Sequence, residues 1–255
     1  MFVNFYINSL PLDHHCNVIQ FHDSGVLAIE KAPNILTHPN KKKAKNKYER
    51  SVLNAEYSHE HECYHWKGSS GEKHTLYLTH RLDSPTSGVL IATNSEKQSQ
   101  EIKNLFLQKD IRKTYFAVVR PNRPIIEGTW KDSLRENRQN GKIRVTRGNG
   151  SLAITKATIE RKKGGLYGLA LLRLNPLTGR THQLRVQCAL RNHAIIGDKT
   201  YGDFSFNRKI SKASKIDRLC LHSTEIEFKI NTPDGKVNFH AESPLPRSMG
   251  KLLLE

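Results

Sequence analysis

The stretch that most constrains the fold is His80-Arg81-Leu82-Asp83-Ser84-Pro85-Thr86-Ser87-Gly88-Val89-Leu90-Ile91-Ala92. The apolar run Leu76-Tyr77-Leu78 leads into it, and Val89-Leu90-Ile91 leaves it. Between the two runs lies a polar corner with an acid, an arginine, a proline and a glycine. This layout predicts strand, tight loop, strand, with Asp83 held at a corner between two buried elements. A carboxylate on so rigid a support suits nucleophilic or acid–base chemistry. An Asp that only bonds the amides of its own turn fits the same spacing, so the stretch alone leaves both readings open.

The rest of the chain supplies a frame for that corner. Residues 17–31 predict a hairpin, with Val18-Ile19-Gln20-Phe21 and Val26-Leu27-Ala28-Ile29 joined by Asp23-Ser24-Gly25. Ser51-Val52-Leu53-Asn54-Ala55 is expected to start a short helix. Ser95 with Gln98 three residues on makes a capping box, and Ile102, Leu105 and Phe106 follow at helical spacing. An amphipathic helix over 96–108 is therefore expected. Residues 110–119 predict a strand, and 126–174 predict an antiparallel meander turning at Asn140-Gly141, at 148–150 and at Gly164-Gly165. Leu169-Ala170-Leu171-Leu172-Arg173-Leu174 is apolar enough for a central strand. A helix opened by Thr181, strands near 224–230 and 236–240, and a closing helix from about 246 complete the reading.

Charge points to the partner. The chain has 255 residues, and 41 Lys and Arg stand against 24 Asp and Glu, for a net charge of +17. A surplus of that size calls for a polyanion, and RNA or DNA fits better than a membrane because no basic amphipathic helix stands out. Lys41, Lys42, Lys43, Lys45 and Lys47 put five lysines within seven residues, either a phosphate-binding loop or a solvated linker. No apolar stretch approaches the roughly 18 residues of a membrane span, and the N-terminus lacks the pattern of a secretory signal. Cys16, Cys63, Cys188 and Cys220 are scattered and read as reduced cytosolic thiols that fill the core. His59, His61, Cys63 and His65 would share one face of a strand and are zinc-ligand types. No second ligand cluster lies nearby, so no metal is expected.

His-Arg-Leu-Asp, two residues, Thr-Ser-Gly and an apolar run closing on Ala resemble the signature of the RluA-type pseudouridine synthases. Further pieces follow in the family's order. Lys113-Thr114-Tyr115-Phe116-Ala117-Val118-Val119 matches its Lys-x-Tyr-x-Ala-x-Val pattern. Thr178-Gly179-Arg180-Thr181-His182-Gln183-Leu184-Arg185-Val186 matches its Thr-Gly-Arg-Thr-His-Gln-Leu-Arg-Val string, with Gln187 where the family has His. Gly197-Asp198-Lys199-Thr200-Tyr201-Gly202 matches Gly-Asp-x-x-Tyr-Gly; there Gly197, Asp198 and Gly202 read as turn-builders. Lys31-Ala32-Pro33-Asn34-Ile35-Leu36-Thr37-His38-Pro39 resembles an earlier family segment, with Ala32 inserted before Pro33 and Asn34 where Gly is usual. Asn tolerates positive φ, so the turn is expected to survive.

The resemblance implies an α+β pseudouridine-synthase fold: a largely antiparallel mixed sheet flanked by helices, with a central RNA-binding cleft. It implies one catalytic domain over 1–255; the roughly 17 residues before the first strand are too few for an appended RNA-binding domain. It implies Asp83 as the catalytic residue, Arg185 as its partner, and Tyr115 stacked beneath the base as a candidate acid–base group. Arg81 would fill the gap left by a flipped base or hold a neighbouring phosphate. His80, Lys31, Arg180, His182 and Gln183 are expected on the RNA-binding side, the last three at a helix start that favours anions. The product follows by isomerisation, so neither cofactor nor metal is required. The expected molecule is a cytoplasmic monomer acting on tRNA or rRNA with no obligate protein partner. Two alternatives remain. A glycosidic hydrolase would want a second carboxylate, and a non-catalytic RNA-binding or RNA-chaperone protein would not need Asp83, Tyr115 and Arg185 together.

Overall fold

A computed structural model describes residue 7 and residues 9–40, 49–139, 142–164, 167–232 and 235–254. The lysine run at 41–47, the Asn140-Gly141 turn and Gly165 lie outside the described residues. The chain forms two compact units, one comprising Met1–Ile111 and Glu225–Ser243, the other Arg112–Thr224 and Pro244–Glu255.

The first unit is built on β1 (Asn17–Phe21), β2 (Val26–Lys31), β3 (Glu56–Ser58), β4 (Cys63–Lys67), β5 (Lys73–Leu78) and β6 (Ser87–Thr93). The 17–31 hairpin forms as expected, with Val18 opposite Ile29 and Phe21 opposite Leu27. β2 also pairs antiparallel with β6 from Val26–Thr93 to Lys31–Gly88. β6 is buried along its whole length, which explains why its sequence is a continuous apolar run and does not alternate. β5 pairs β6 through Tyr77 and Leu78, then β4 and β3 follow outward. The helix α1 (Glu96–Gln108) sets Ile102 into a core of Val26, Ala28, Val89, Ile91, Phe228 and Phe239. Each Val, Ile or Phe side chain there, fully buried, contributes roughly 1.5–3 kcal/mol. Ser95 caps α1 by accepting from Gln98 N–H at 3.4 Å. The reciprocal arm of the box is rerouted: the Gln98 amide oxygen accepts from Thr93 Oγ1 at 2.9 Å, and Ser95 N–H donates to Thr93 Oγ1 at 3.2 Å.

The segment at 51–54 is not a helix. Ser51 bridges Leu36 and Leu53 bridges Leu12, so local helix-forming pattern yields to extended pairing with two distant segments.

The second unit holds β7 (Arg112–Val119), β8 (Gly128–Gln139), β9 (Lys142–Arg147), β10 (Ser151–Gly164) and β11 (Leu169–Pro176). β11 lies between β7 and β10, and β8 between β10 and β9, all antiparallel. The expected central position of Leu169–Leu174 and the meander are both seen. The helices α2 (Gln183–Leu190), α3 (Phe204–Ser214) and α4 (Arg247–Lys251) belong to this unit. Val118, Leu172, Leu174, Leu184, Cys188, Ile195, Met249 and Leu252 share its main core. β12 (Leu221–Thr232) continues from this unit into the first, where it pairs with β13 (Gly235–Glu242) from Glu225 onward. All four cysteines are free and buried. Among the described residues, no helix is long and apolar enough to cross a membrane.

Candidate active site

The Asp83 corner is braced from the segment at 31–37. Lys31 is fully buried, and its ammonium donates to the carbonyls of Ala32 at 2.9 Å, Ile35 at 2.7 Å and Ser84 at 2.9 Å. Asn34 N–H donates to the same Ser84 carbonyl at 2.8 Å. Thr37 Oγ1 donates to Leu82 O at 2.8 Å and accepts from Leu82 N–H at 3.1 Å. Asn34 stands at φ +64°, so the turn survives with Asn in place of Gly. Asp83 closes its own turn by accepting Thr86 N–H on its carbonyl at 3.0 Å, and its side chain is half-buried. Clamps on Leu82 and Ser84, on either side of Asp83, hold its backbone in one place.

Two of the residues expected to contact RNA are engaged within the protein itself. Lys31 directs its three N–H groups at three carbonyls inside the protein, and so braces the loop. His80 Nε2 accepts Ile91 N–H at 2.9 Å, and its ring packs on Phe106 at 4.8 Å between centroids. Both contacts tie the His80 ring into the fold. Arg81 is exposed.

In the second unit Tyr115 sits on β7 opposite Leu174, half-buried against the main core. Lys113 shares its face at two-residue spacing, and burial pulls its ammonium down to about 8. The helix at the Arg-Thr-His-Gln string begins two residues later than expected. Its N-cap is His182, in the left-handed region at φ +52° and making no side-chain cap bond. Thr181 instead turns its hydroxyl to Glu136. Gln183 folds inward: its amide oxygen accepts from Thr178 Oγ1 at 2.7 Å and Arg180 N–H at 3.0 Å, while Nε2 donates to Thr155 Oγ1 at 2.9 Å and Ile154 O at 3.1 Å. That satisfies both ends of the amide, and Gln183 builds the loop. Tyr201 OH accepts Val145 N–H at 2.8 Å and lies 2.8 Å from His182 Nδ1. Arg180 is exposed.

Arg185 is the most constrained charge of this unit. Its Nε donates to Asp198 Oδ2 at 2.8 Å and one Nη to Asp198 Oδ1 at 2.9 Å, with Thr200 Oγ1 at 3.1 Å from the same Nη. The side chains are 6% and 1% exposed. Asp198 also accepts the N–H groups of Thr200 and Tyr201 at 2.8 and 3.0 Å. Burial pushes its carboxyl up, but the Arg185 bonds and charge together with those amides outweigh burial and hold it below the usual range. Asp198 is thus the expected turn-builder and also the residue that aims Arg185. The pairing was not visible in the sequence, although a Gly-Asp turn following a buried arginine is a signal that could have raised it. Gln187, in the place of the family's His, is fully buried, accepting from Thr155 Oγ1 at 2.6 Å and donating to Asp132 Oδ2 at 2.8 Å.

Of the four zinc-ligand types only Cys63 and His65 share a strand face, with Cys63 Sγ 3.3 Å from His65 Nε2. His59 and His61 fall in the turn between β3 and β4, while Cys63 is buried and His65 exposed on β4. Among the described residues, Asp13, His14 and His15 bring ligand atoms within 4.8 Å of one another. The Arg50 guanidinium contacts all three there, so a cation already fills that position.

The profile of the RNA pseudouridylate synthase family matches residues 25–190, a span that includes Asp83, Tyr115 and Arg185. The chain belongs to the RNA pseudouridylate synthase family. It is 32% identical over 186 residues to ribosomal large subunit pseudouridine synthase C of Vibrio parahaemolyticus, covering 70% of this chain and 55% of that one. It is 33% identical over 163 residues to tRNA pseudouridine synthase C of Vibrio cholerae, covering 60% of this chain and 66% of that one. The chain therefore spans about half to two thirds of the length of these curated relatives. Human RNA pseudouridylate synthase domain containing 4 has the same fold, with a TM-score of 0.63 at 21% identity over 100% of this chain and 99% of that one. The α+β fold expected from the motifs is thus the pseudouridylate synthase fold.

Proposed function

We propose that this chain isomerises uridine to pseudouridine in structured RNA, either tRNA or rRNA, with Asp83 as the catalytic nucleophile. The reaction breaks the bond between ribose C1′ and uracil N1, turns the base, and rejoins it through C5. No atom is gained or lost overall, because a proton leaves C5 and N1 takes one up. An ionised carboxylate on a fixed loop, a surface to hold the detached base and a proton acceptor are the needed parts. The observation that carries the reading is the double clamp on Leu82 and Ser84, which fixes the Asp83 backbone inside a family-matched segment. Arg185, aimed by Asp198, belongs with Asp83 and Tyr115 to the catalytic set that the family motifs assign. Tyr115 stacks on the freed ring and takes part in the proton transfer. A stacked uridine cannot reach such a carboxylate, so the base is flipped out, and Arg81 fills the gap or holds the next phosphate. The two units act as one catalytic domain, and the relatives' names support both RNA classes as substrates.

Asp83→Asn tests the assignment, because it keeps size and removes charge and nucleophile. Pseudouridine formation is expected to fall to background in single-turnover assays read by tritium release from C5. RNA affinity is expected to stay within about tenfold, under ~1.4 kcal/mol. Appreciable product from Asp83→Asn would remove Asp83 from the catalytic role. Release of free uracil by the wild type would make the chain a hydrolase.

A further inference from the structure

Residues 128–164 form the three strands β8, β9 and β10, and they carry ten Lys and Arg against three acids. The three acids are all committed within the unit. Asp132 accepts from Gln187 at 2.8 Å and Arg191 at 2.9 Å. Glu136 accepts from Thr181 and from Arg138, and Glu160 accepts from Arg173 at 2.8 Å. Strand alternation sorts the rest. Trp130, Asp132 and Leu134 are buried on one face of β8, with Val145 of β9 and Ala153 of β10, and Val186 of α2 and Tyr201 pack behind them. The opposite face is exposed at Thr129, Lys131, Ser133, Arg135 and Asn137 of β8, Arg144 and Thr146 of β9, and Lys156 of β10.

Among the described residues named here, that face carries four cations and no acid; Glu160, farther along β10, is paired with Arg173, and Leu152 and Ile154 add apolar surface between the cations. Register places Arg135 opposite Thr146 and Arg144 opposite Asn137, so the two arginines are diagonal neighbours about 7–8 Å apart at the backbone. Lys131 lies opposite Ile154, so Lys156 is its diagonal neighbour in the same way. The two pairs are separated along β8 by four residues, about 13 Å. No aromatic ring stands among these side chains, so the face offers no platform for stacking unpaired bases. Its flanking Ser, Thr and Asn side chains suit phosphate and sugar oxygens, which position a nucleic acid without reading its sequence. On the reading of an RNA substrate given above, we propose that Lys131, Arg135, Arg144 and Lys156 form a second RNA contact, laid along the sugar–phosphate backbone of a duplex stem flanking the target uridine. The face is tied to the helix that carries Arg185 through Val186 behind Leu134, Val145 and Ala153, and through the Tyr201 bond to Val145 N–H.

The test replaces Lys131, Arg135, Arg144 and Lys156 together by Gln in the full chain. A control replaces four exposed lysines elsewhere, Lys73, Lys229, Lys236 and Lys251. Binding is measured against a stem-loop RNA and against a short unstructured oligouridylate over a range of KCl. The four-site variant is expected to lose at least about tenfold in stem-loop affinity at 0.1 M salt, and its plot of log K against log salt is expected to be shallower by about 3. Oligouridylate affinity is expected to change less than threefold. The control is expected to change the stem-loop slope by less than half as much. The variant's thermal midpoint should match wild type, since the side chains are exposed. An unchanged slope, an equal loss on both RNAs, or an equal effect of the control would each overturn the proposal. Pseudouridine formation at saturating RNA is followed in parallel and should keep its kcat. A wild type that binds stems through this face yet makes no pseudouridine would sink the isomerase reading and leave this contact standing.

Discussion

Asp198→Asn offers the most direct reading of how the second unit holds its buried arginine. The substitution keeps the side chain's shape and leaves an oxygen for the Thr200 and Tyr201 amides, but removes the charge that faces Arg185. Both side chains are almost fully buried, at 6% and 1% exposure, so water cannot replace the lost carboxylate. Breaking one side of such a pair costs about 3–5 kcal/mol. Thr200 Oγ1 still accepts from the guanidinium, so the cost is expected at the lower end, about 3 kcal/mol. In a chain of this size that lowers the thermal midpoint by about 10 °C, measured by circular dichroism. Arg185→Met removes the charge that needs the carboxylate, so Asp198→Asn in that background is expected to cost under about 1 kcal/mol, a coupling of roughly 2–3 kcal/mol. The pH dependence has a definite sign. Because Asp198 is held below its ordinary pKa, its contribution is fully present above about pH 4 and is lost as pH falls through the folded value. Wild type and variant should therefore converge in stability on acidification and stay apart at neutral pH. A destabilisation below about 1 kcal/mol, or no coupling to Arg185→Met, would refute the reasoning.

Lys31→Met should separate a brace from an RNA ligand. The carbonyls of Ala32 and Ile35 lose their ammonium donor while Ser84 O keeps Asn34 N–H, and relief of the buried charge offsets part of the loss. A net destabilisation of about 2–3 kcal/mol in urea and a fall in kcat are expected, with RNA affinity within twofold; unchanged stability with weakened binding would reverse the assignment. Gly197→Ala should cost at least about 2 kcal/mol and reduce soluble yield. Gly197 sits at φ +75°, and a Cβ there would lie 1.8 Å from the Arg218 carbonyl oxygen, a backbone atom that cannot swing aside. A variant with the wild-type melting midpoint would disprove that clash.

The chain's own order of residues carried a good deal of this protein. The apolar runs around Asp83, the 17–31 hairpin, the Ser95 cap and the meander through Leu169–Leu174 all appear where local pattern puts them, because alternation and capping act over a few residues. Asn34 at positive φ belongs with these, since one residue's own sterics decide it. The tertiary structure decided the rest, and mostly for polar groups. Sequence marks Lys31, His80 and Gln183 as cations and donors beside a site and so suggests RNA contacts. Their hydrogen bonds turn out to close on Ser84, Ile91 and Thr178, up to 53 residues away. Ser51–Asn54 fails as a helix for the same reason, its bridges reaching Leu36 and Leu12. Asp198 looked like a turn residue and is one, but only the packing of α2 against the following loop makes it the anchor of Arg185. Periodicity reports which face of an element is apolar; it does not report which partner a buried polar atom will meet. That choice is made by the whole fold, because a buried donor or charge left without a partner costs more than any local preference returns.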